Sequence, residues 1–140
     1  MNYSNPYHSN TQLEAEVLTA DPVKLVHLLY KGALEAVGGA RRHLANGAIR
    51  PRSKQITKAW EILRELLVTL DHSKGGELSQ NLAALYTYMQ TRLMEANSQQ
   101  LDAPLREVEN LLTTLSEGWS QVLPAPIPLD RPTERLSLSF

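Results

Sequence analysis

The sequence predicts an all-α fold, an antiparallel four-helix up-down bundle, on three observations. Four stretches of about twenty residues place apolar side chains at every third or fourth position, which lines one face of a helix. Short connections bearing Gly, Pro or Asn separate those stretches, and short connections make successive helices antiparallel neighbours. Aromatic residues amount to 6% of the chain, so aliphatic side chains supply most of the core, as suits stacked helices. The 140 residues are enough for one core and too few for two.

Residues 1–10 are polar and turn-forming, with Pro6 between Asn5 and Tyr7. Residues 11–20 can form a short amphipathic helix presenting Leu13, Val17 and Leu18, so 1–20 reads as an N-terminal cap segment. Thr19-Ala20-Asp21-Pro22 is a start signal: Asp21 suits an N-cap, and Pro22 suits the first helical position. The first helix is expected over 22–45, striped by Val26, Leu29, Ala33, Ala36, Ala40 and Leu44, and stopped by Asn46-Gly47.

The second helix follows Pro51 and Ser53 and runs to about Asp71, with Ile56, Ala59, Trp60, Leu63, Leu67 and Leu70 as its stripe. Lys74-Gly75-Gly76 interrupts the pattern, and Glu77 puts a negative charge in the next first turn, where the helix dipole favours it. The third helix spans 76–97 along a seam of Leu78, Leu82, Leu85, Met89, Leu93 and Ala96, with Tyr86 and Tyr88 on opposite shoulders. The fourth starts near Asp102–Pro104 and repeats Leu101, Leu105, Val108, Leu112, Leu115, Trp119 and Val122. Pro124, Pro126 and Pro128 end helical structure, so 21–122 reads as the bundle and 123–140 as a disordered or polyproline-like tail.

Composition removes several function classes. Net charge is −1 with both signs interspersed, which makes no case for a nucleic-acid backbone. Without cysteine there is no disulfide, thiolate metal site or thiol nucleophile, as fits a reducing compartment. The start MNYSNPYHSN lacks a signal-peptide pattern and no run reaches membrane-span length, so a soluble intracellular domain with no membrane insertion is expected. No Glu precedes a His by three residues as in di-iron bundles, and no phosphate loop or nucleophile elbow occurs. His27, His43 and His72 read as structural or solvated, and Gly38-Gly39 as a kink or close helix contact. The chain is expected to be no enzyme and to need no cofactor or metal.

The apolar surface exceeds what such a bundle needs, which is roughly three positions per heptad. Ile62 and Leu66 form a second stripe on the second helix, and Leu25, Leu28 and Tyr30 lie outside the main stripe of the first. A groove is expected there, filled either by Leu13, Val17 and Leu18 as a removable lid or by a partner's helix. Ordering about fifteen client residues requires roughly 600–1200 Å² of apolar burial, so the surface must run along several helices. Tyr86 and Tyr88 either complete the edges of the core with hydroxyls in water or supply a groove wall. Arg64, Glu65, Arg92 and Glu95 read as a solvated face with minor ion pairs.

An ordered series of motifs resembles one family. Asn5-Pro6-Tyr7, Thr19-Ala20-Asp21-Pro22-x-x-Leu25 and Leu29-Tyr30-x-Gly32-Ala33 are similar to flagellar secretion chaperones that bind flagellin. So are Lys58-Ala59-x-x-Ile62-x-x-Glu65-Leu66, Leu70-Asp71, Gly75-Gly76-Glu77 and Asn81-Leu82-x-x-Leu85-Tyr86-x-Tyr88-Met89. Arg92-Leu93-x-x-Ala96-Asn97, Glu107-Val108 and Trp119 complete a series spanning 3–122. The resemblance implies a helical bundle in the bacterial cytoplasm that holds the C-terminal segment of flagellin, prevents premature polymerisation, and delivers it to a component of the type III flagellar export gate. It implies a cap and partner role for Tyr7. With the surplus stripes, the expected client-binding and cap residues are Tyr7, Leu13, Val17, Leu18, Leu25, Leu28, Ile62, Leu66, Tyr86 and Tyr88, on a monomer or weak homodimer. The rival reading is a self-associating structural bundle whose extra stripe is a homodimer interface.

Overall fold

Asp21 caps the first helix: its carboxylate accepts the Lys24 backbone N–H at 2.8 Å, and Pro22 follows at the start of the helix. The computed structural model describes residues 21–70 and 72–121. The expectations for 1–20 and 123–140 lie outside them. Among the described residues all regular structure is helical: α1 Pro22–Ala45, α2 Ile49–Thr69, α3 His72–Gln99 and α4 Asp102–Ser120. α2 begins before Pro51 rather than after it. A proline in the first turn removes an N–H that has no partner inside the helix anyway, so it does not delay the start.

Two helices end alike. After α1, Gly47 turns left-handed at φ +70°, and the Ala48 N–H reaches back to the His43 carbonyl at 2.9 Å. After α3, Gln100 does the same at φ +56°, and the Leu101 N–H reaches the Ala96 carbonyl at 3.2 Å. α3 is broken near its start by Gly76, with φ 56° and ψ −127°, as the Gly-Gly pair implied.

The helices form a ring in which α1 packs on α2 and α4, and α3 packs on the same two. Side-chain ties show α1 antiparallel to α4 and α2 antiparallel to α3. Trp119, near the end of α4, donates from Nε1 to the Val23 carbonyl at the start of α1 at 2.9 Å. Arg52, in the first turn of α2, donates to the Asn97 side chain near the end of α3 at 3.1 Å. α1 and α2 have the most extensive contact. Gly39 faces Gln55 so closely that a Cβ there would sit 3.4 Å from its side chain, a close helix contact rather than a kink.

The interior revises three face assignments. On α2 the buried line is Arg52, Ile56, Ala59, Leu63, Leu66 and Leu70, spaced alternately by four and three residues, while Trp60 and Leu67 are partly buried shoulders. The supposed second stripe therefore includes interior residues: Leu66 is 0% exposed, and Ile62 joins the same core. On α3 the seam runs Ser79, Leu82, Tyr86, Met89, Leu93 and Ala96, so Tyr86 stands in the seam rather than on a shoulder. Leu78, in the first turn after the break, is 51% exposed, and Leu101 is exposed at the N-cap of α4. Tyr30 of α1 is interior as well.

Tyr30 and Tyr86 account for the α3 face. Their hydroxyls share a 2.6 Å hydrogen bond across the buried centre, from α1 to α3 on opposite corners of the ring. Trp119 lies edge-on to Tyr30 with ring centroids 6.5 Å apart. Burial pushes both phenols above their ordinary pKa, so the pair is neutral at physiological pH. Tyr30→Phe or Tyr86→Phe leaves one buried hydroxyl unpaired and is expected to cost about 1–3 kcal/mol. The double variant removes both polar atoms and is expected to fall well short of the sum of the singles, as read by urea denaturation.

Candidate functional site

The register of α1 against α2 decides which expected site residues meet. With Gly39 opposite Gln55, each step back along α1 is matched by a step forward along antiparallel α2. Leu28 then comes level with Leu66, and Gly32 with Ile62. Leu25, Leu28, Ile62 and Leu66 thus share one stretch of the α1–α2 pair, the end nearer Asp21 and Leu70. Tyr86 is separate, inside the bundle. Tyr88 stands on α3 on the face toward α4, bonded to Glu107. Tyr7, Leu13, Val17 and Leu18 lie outside the described residues.

Within that stretch the four residues differ in depth. Leu66 is sealed in the core, and Ile62 sits at the rim of α2. Leu25 is partly buried against the core. Leu28 stands about 130° round α1 from the interior seam at about 100° per residue. Even so it is only 7% exposed, although it is not one of the residues of the interior cluster. It lies on the same side of α1 as Gly39, the side that faces α2. Small residues underlie the same strip: Gly32 is buried beside it, one turn on. Together these side chains make an apolar, largely buried edge of the α1–α2 pair. Among the described residues no cluster of three or more His, Asp or Glu could hold a metal ion, and no helix is long and apolar enough to cross a membrane. His27, next to Leu28 in sequence, keeps a buried Nδ1 with no hydrogen-bond partner.

The two seams that involve α4 are closed by ion pairs that sequence periodicity did not locate. Arg41 of α1 grips Asp102 of α4 with two bonds of 2.8 and 2.9 Å and reaches Glu109 at 2.6 Å. Arg92 of α3 donates to Glu107 of α4 and to Glu95, each at 2.6 Å, and the Tyr88 hydroxyl donates to Glu107 at 2.7 Å. The Arg64–Glu65–Arg92–Glu95 face is thus partly an inter-helix tie. Arg41 holds the Asp102 carboxyl below its ordinary pKa, and the Tyr88 hydroxyl, then Arg92, do the same for Glu107. The Tyr88 phenol is raised by its bond to that carboxylate.

Residues 3–126 match the family described as flagellar protein FliS. The chain belongs to the FliS family. Its relatives match over most of their length: the flagellar secretion chaperone FliS of Salmonella typhimurium is 36% identical over 84% of this chain and 87% of its own. The flagellar secretion chaperone FliSB of Pseudomonas aeruginosa is 37% identical over 82% of this chain and 91% of its own. The FliS of Bacillus subtilis is 33% identical over 88% and 90%. The motif series read from the sequence therefore identified the family, and an export-chaperone role comes with it.

Two measurements test the site's frame. Leu66→Ala empties an interior position and is expected to cost about 2–5 kcal/mol of stability, where a rim residue costs far less. Because the folded carboxyls of Asp102 and Glu107 bind protons less readily than the unfolded chain, stability is expected to fall as pH drops from about 5 through the ordinary carboxylate range. Asp102→Asn should flatten that slope in urea midpoints taken across pH.

Proposed function

We propose that this FliS-family chain is a cytosolic, non-enzymatic export chaperone that holds the C-terminal segment of flagellin. In this reading it blocks premature polymerisation and passes its client to the flagellar type III export gate. Family membership over residues 3–126 carries the reading. The α1–α2 edge supports it, since Leu25, Leu28 and Ile62 form an apolar strip at the margin of the core. Leu13, Val17 and Leu18 are proposed as the displaceable lid of that strip, Tyr7 as a cap contact, and Tyr88 as an outlying client contact. Leu66 backs the strip and Tyr86 stands apart inside the bundle, and neither is offered to a client.

The homodimer reading draws less support, because it relied on Ile62 and Leu66 as an outer stripe, and Leu66 is interior. Calorimetry with a peptide from the C-terminal end of the cognate flagellin is expected to show equimolar binding with a strongly negative heat-capacity change. Leu25→Asp and Ile62→Ala are expected to weaken it at least tenfold, roughly 1.4 kcal/mol, while the protein stays helical by circular dichroism. No heat at about 50 µM peptide would overturn the assignment. An unchanged affinity in both variants would move the client elsewhere on the bundle.

A further inference from the structure

The net charge of −1 conceals a polarised molecule. Between Ala36 and Trp60 there are six Lys and Arg residues and no Asp or Glu. This is the stretch where α1 turns into α2, so those charges gather at one end of the bundle. Cut at mid-helix, that end (34–59 and 88–110) holds eight Lys or Arg against five Asp or Glu. The opposite end (21–33, 60–70, 75–87 and 111–121) holds three against five. The two ends thus differ in sign, +3 (8 − 5) against −2 (3 − 5).

Pairing sharpens the contrast. At the basic end the carboxylates of Asp102 and Glu109 are occupied by Arg41, and those of Glu95 and Glu107 by Arg92. Arg52 is buried on Asn97. Arg42, Arg50 and Lys54 are exposed, and no ion pair among the described residues uses them. Arg50 and Lys54 are four apart on one face of α2. Beside them Ile49 is 57% exposed, an aliphatic side chain standing next to uncompensated cations.

We propose that this hairpin end, built on Arg42, Arg50, Lys54 and Ile49, docks an acidic protein segment that carries an aliphatic residue. It is a second interaction surface, at the other end of the bundle from the Leu25–Leu28 strip. Guanidinium groups take carboxylates in paired hydrogen bonds, and Ile49 supplies the apolar contact that gives the acidic segment a register. A nucleic acid fits less well, because a continuous phosphate backbone leaving the patch would run onto the acidic half. A membrane fits less well too, since three cations and one isoleucine fall short of the two strong signals that stable anchoring takes. Attraction to an acidic partner also raises the encounter rate and makes it depend on salt.

The test uses the full chain, isotope-labelled for NMR, titrated with a short synthetic peptide of repeated Glu-Glu-Leu triplets. Amide shifts are expected to concentrate within residues 41–55. Affinity is expected to fall about tenfold between about 0.05 and about 0.5 M salt. Arg42→Glu/Arg50→Glu/Lys54→Glu is expected to lose at least about tenfold in affinity, and Ile49→Ser to lose a few-fold with every charge intact. Arg50→Glu alone serves if the triple variant does not fold. Flagellin-peptide binding is expected to be unchanged in all of them, which separates this surface from the client strip. Absence of shifts, shifts centred elsewhere, indifference to charge reversal, or joint loss of flagellin binding would each overturn the proposal. So would tighter binding to phosphatidylserine vesicles or duplex DNA than to the peptide.

Discussion

A polar atom in the middle of an apolar bundle has to find its partner there, and that requirement orders this fold. The Tyr86 hydroxyl meets the Tyr30 hydroxyl at 2.6 Å in the buried centre. Leaving either alone would forfeit a hydrogen bond that water could otherwise supply. The bond spans opposite corners of the ring, so it sets the rotation of α3 relative to α1, which a hydrophobic seam alone leaves loose. Once Tyr86 faces inward, Ser79, Leu82, Met89, Leu93 and Ala96 follow at heptad spacing. Trp119 then packs against Tyr30 and ties the end of α4 to the start of α1 through the Val23 carbonyl.

Helix extents were legible in the sequence because capping chemistry is local. Asp21-Pro22, Asn46-Gly47 and Gly75-Gly76 each act through backbone groups within a few residues, and each sits where its chemistry predicts. Helix faces were less legible. Leu78, Leu82, Leu85 and Met89 fit a heptad, and Ser79, Leu82, Tyr86 and Met89 fit one equally well; the two differ by about 100° of rotation at the positions they do not share. Choosing between them needs the partner helix, since only Tyr30 across the bundle makes the tyrosine the better interior residue. The same holds for Arg52, which no hydropathy pattern would place inside. It is buried because Asn97, at the close of an antiparallel neighbour, accepts its Nε–H. The charge asymmetry escaped for another reason: a whole-chain sum averages over the two ends that the topology separates.

The small residues of α1 explain why its apolar arc is wide without being surplus. Gly32, Ala33, Ala36, Gly39 and Ala40 are all buried, and they let α2 come close enough for Gln55 to lie on Gly39. A close approach buries residues on both flanks of each seam, which is how Ile62 enters the core at its rim. The sequence count of apolar positions per heptad assumes an ordinary interaxial distance. When the backbones approach more closely, more of each helix is covered and less apolar surface remains for a client.

That economy bears on how such a bundle holds and lets go. Displacing Leu66 or Tyr86 to admit a client would open a cavity in a packed interior, and the loss for one large side chain is several-fold the free energy that sets a tenfold change in affinity. Binding that required it would be slow to form and would put the fold itself at stake in each cycle. An edge strip avoids the conflict. Leu25, Leu28 and Ile62 lie at the margin of the core, so in the role proposed above a segment packs along them and leaves Leu66 and Tyr86 in place. In the role proposed above, many small contacts made and lost one after another suit a client that is held and then released as an unfolded chain.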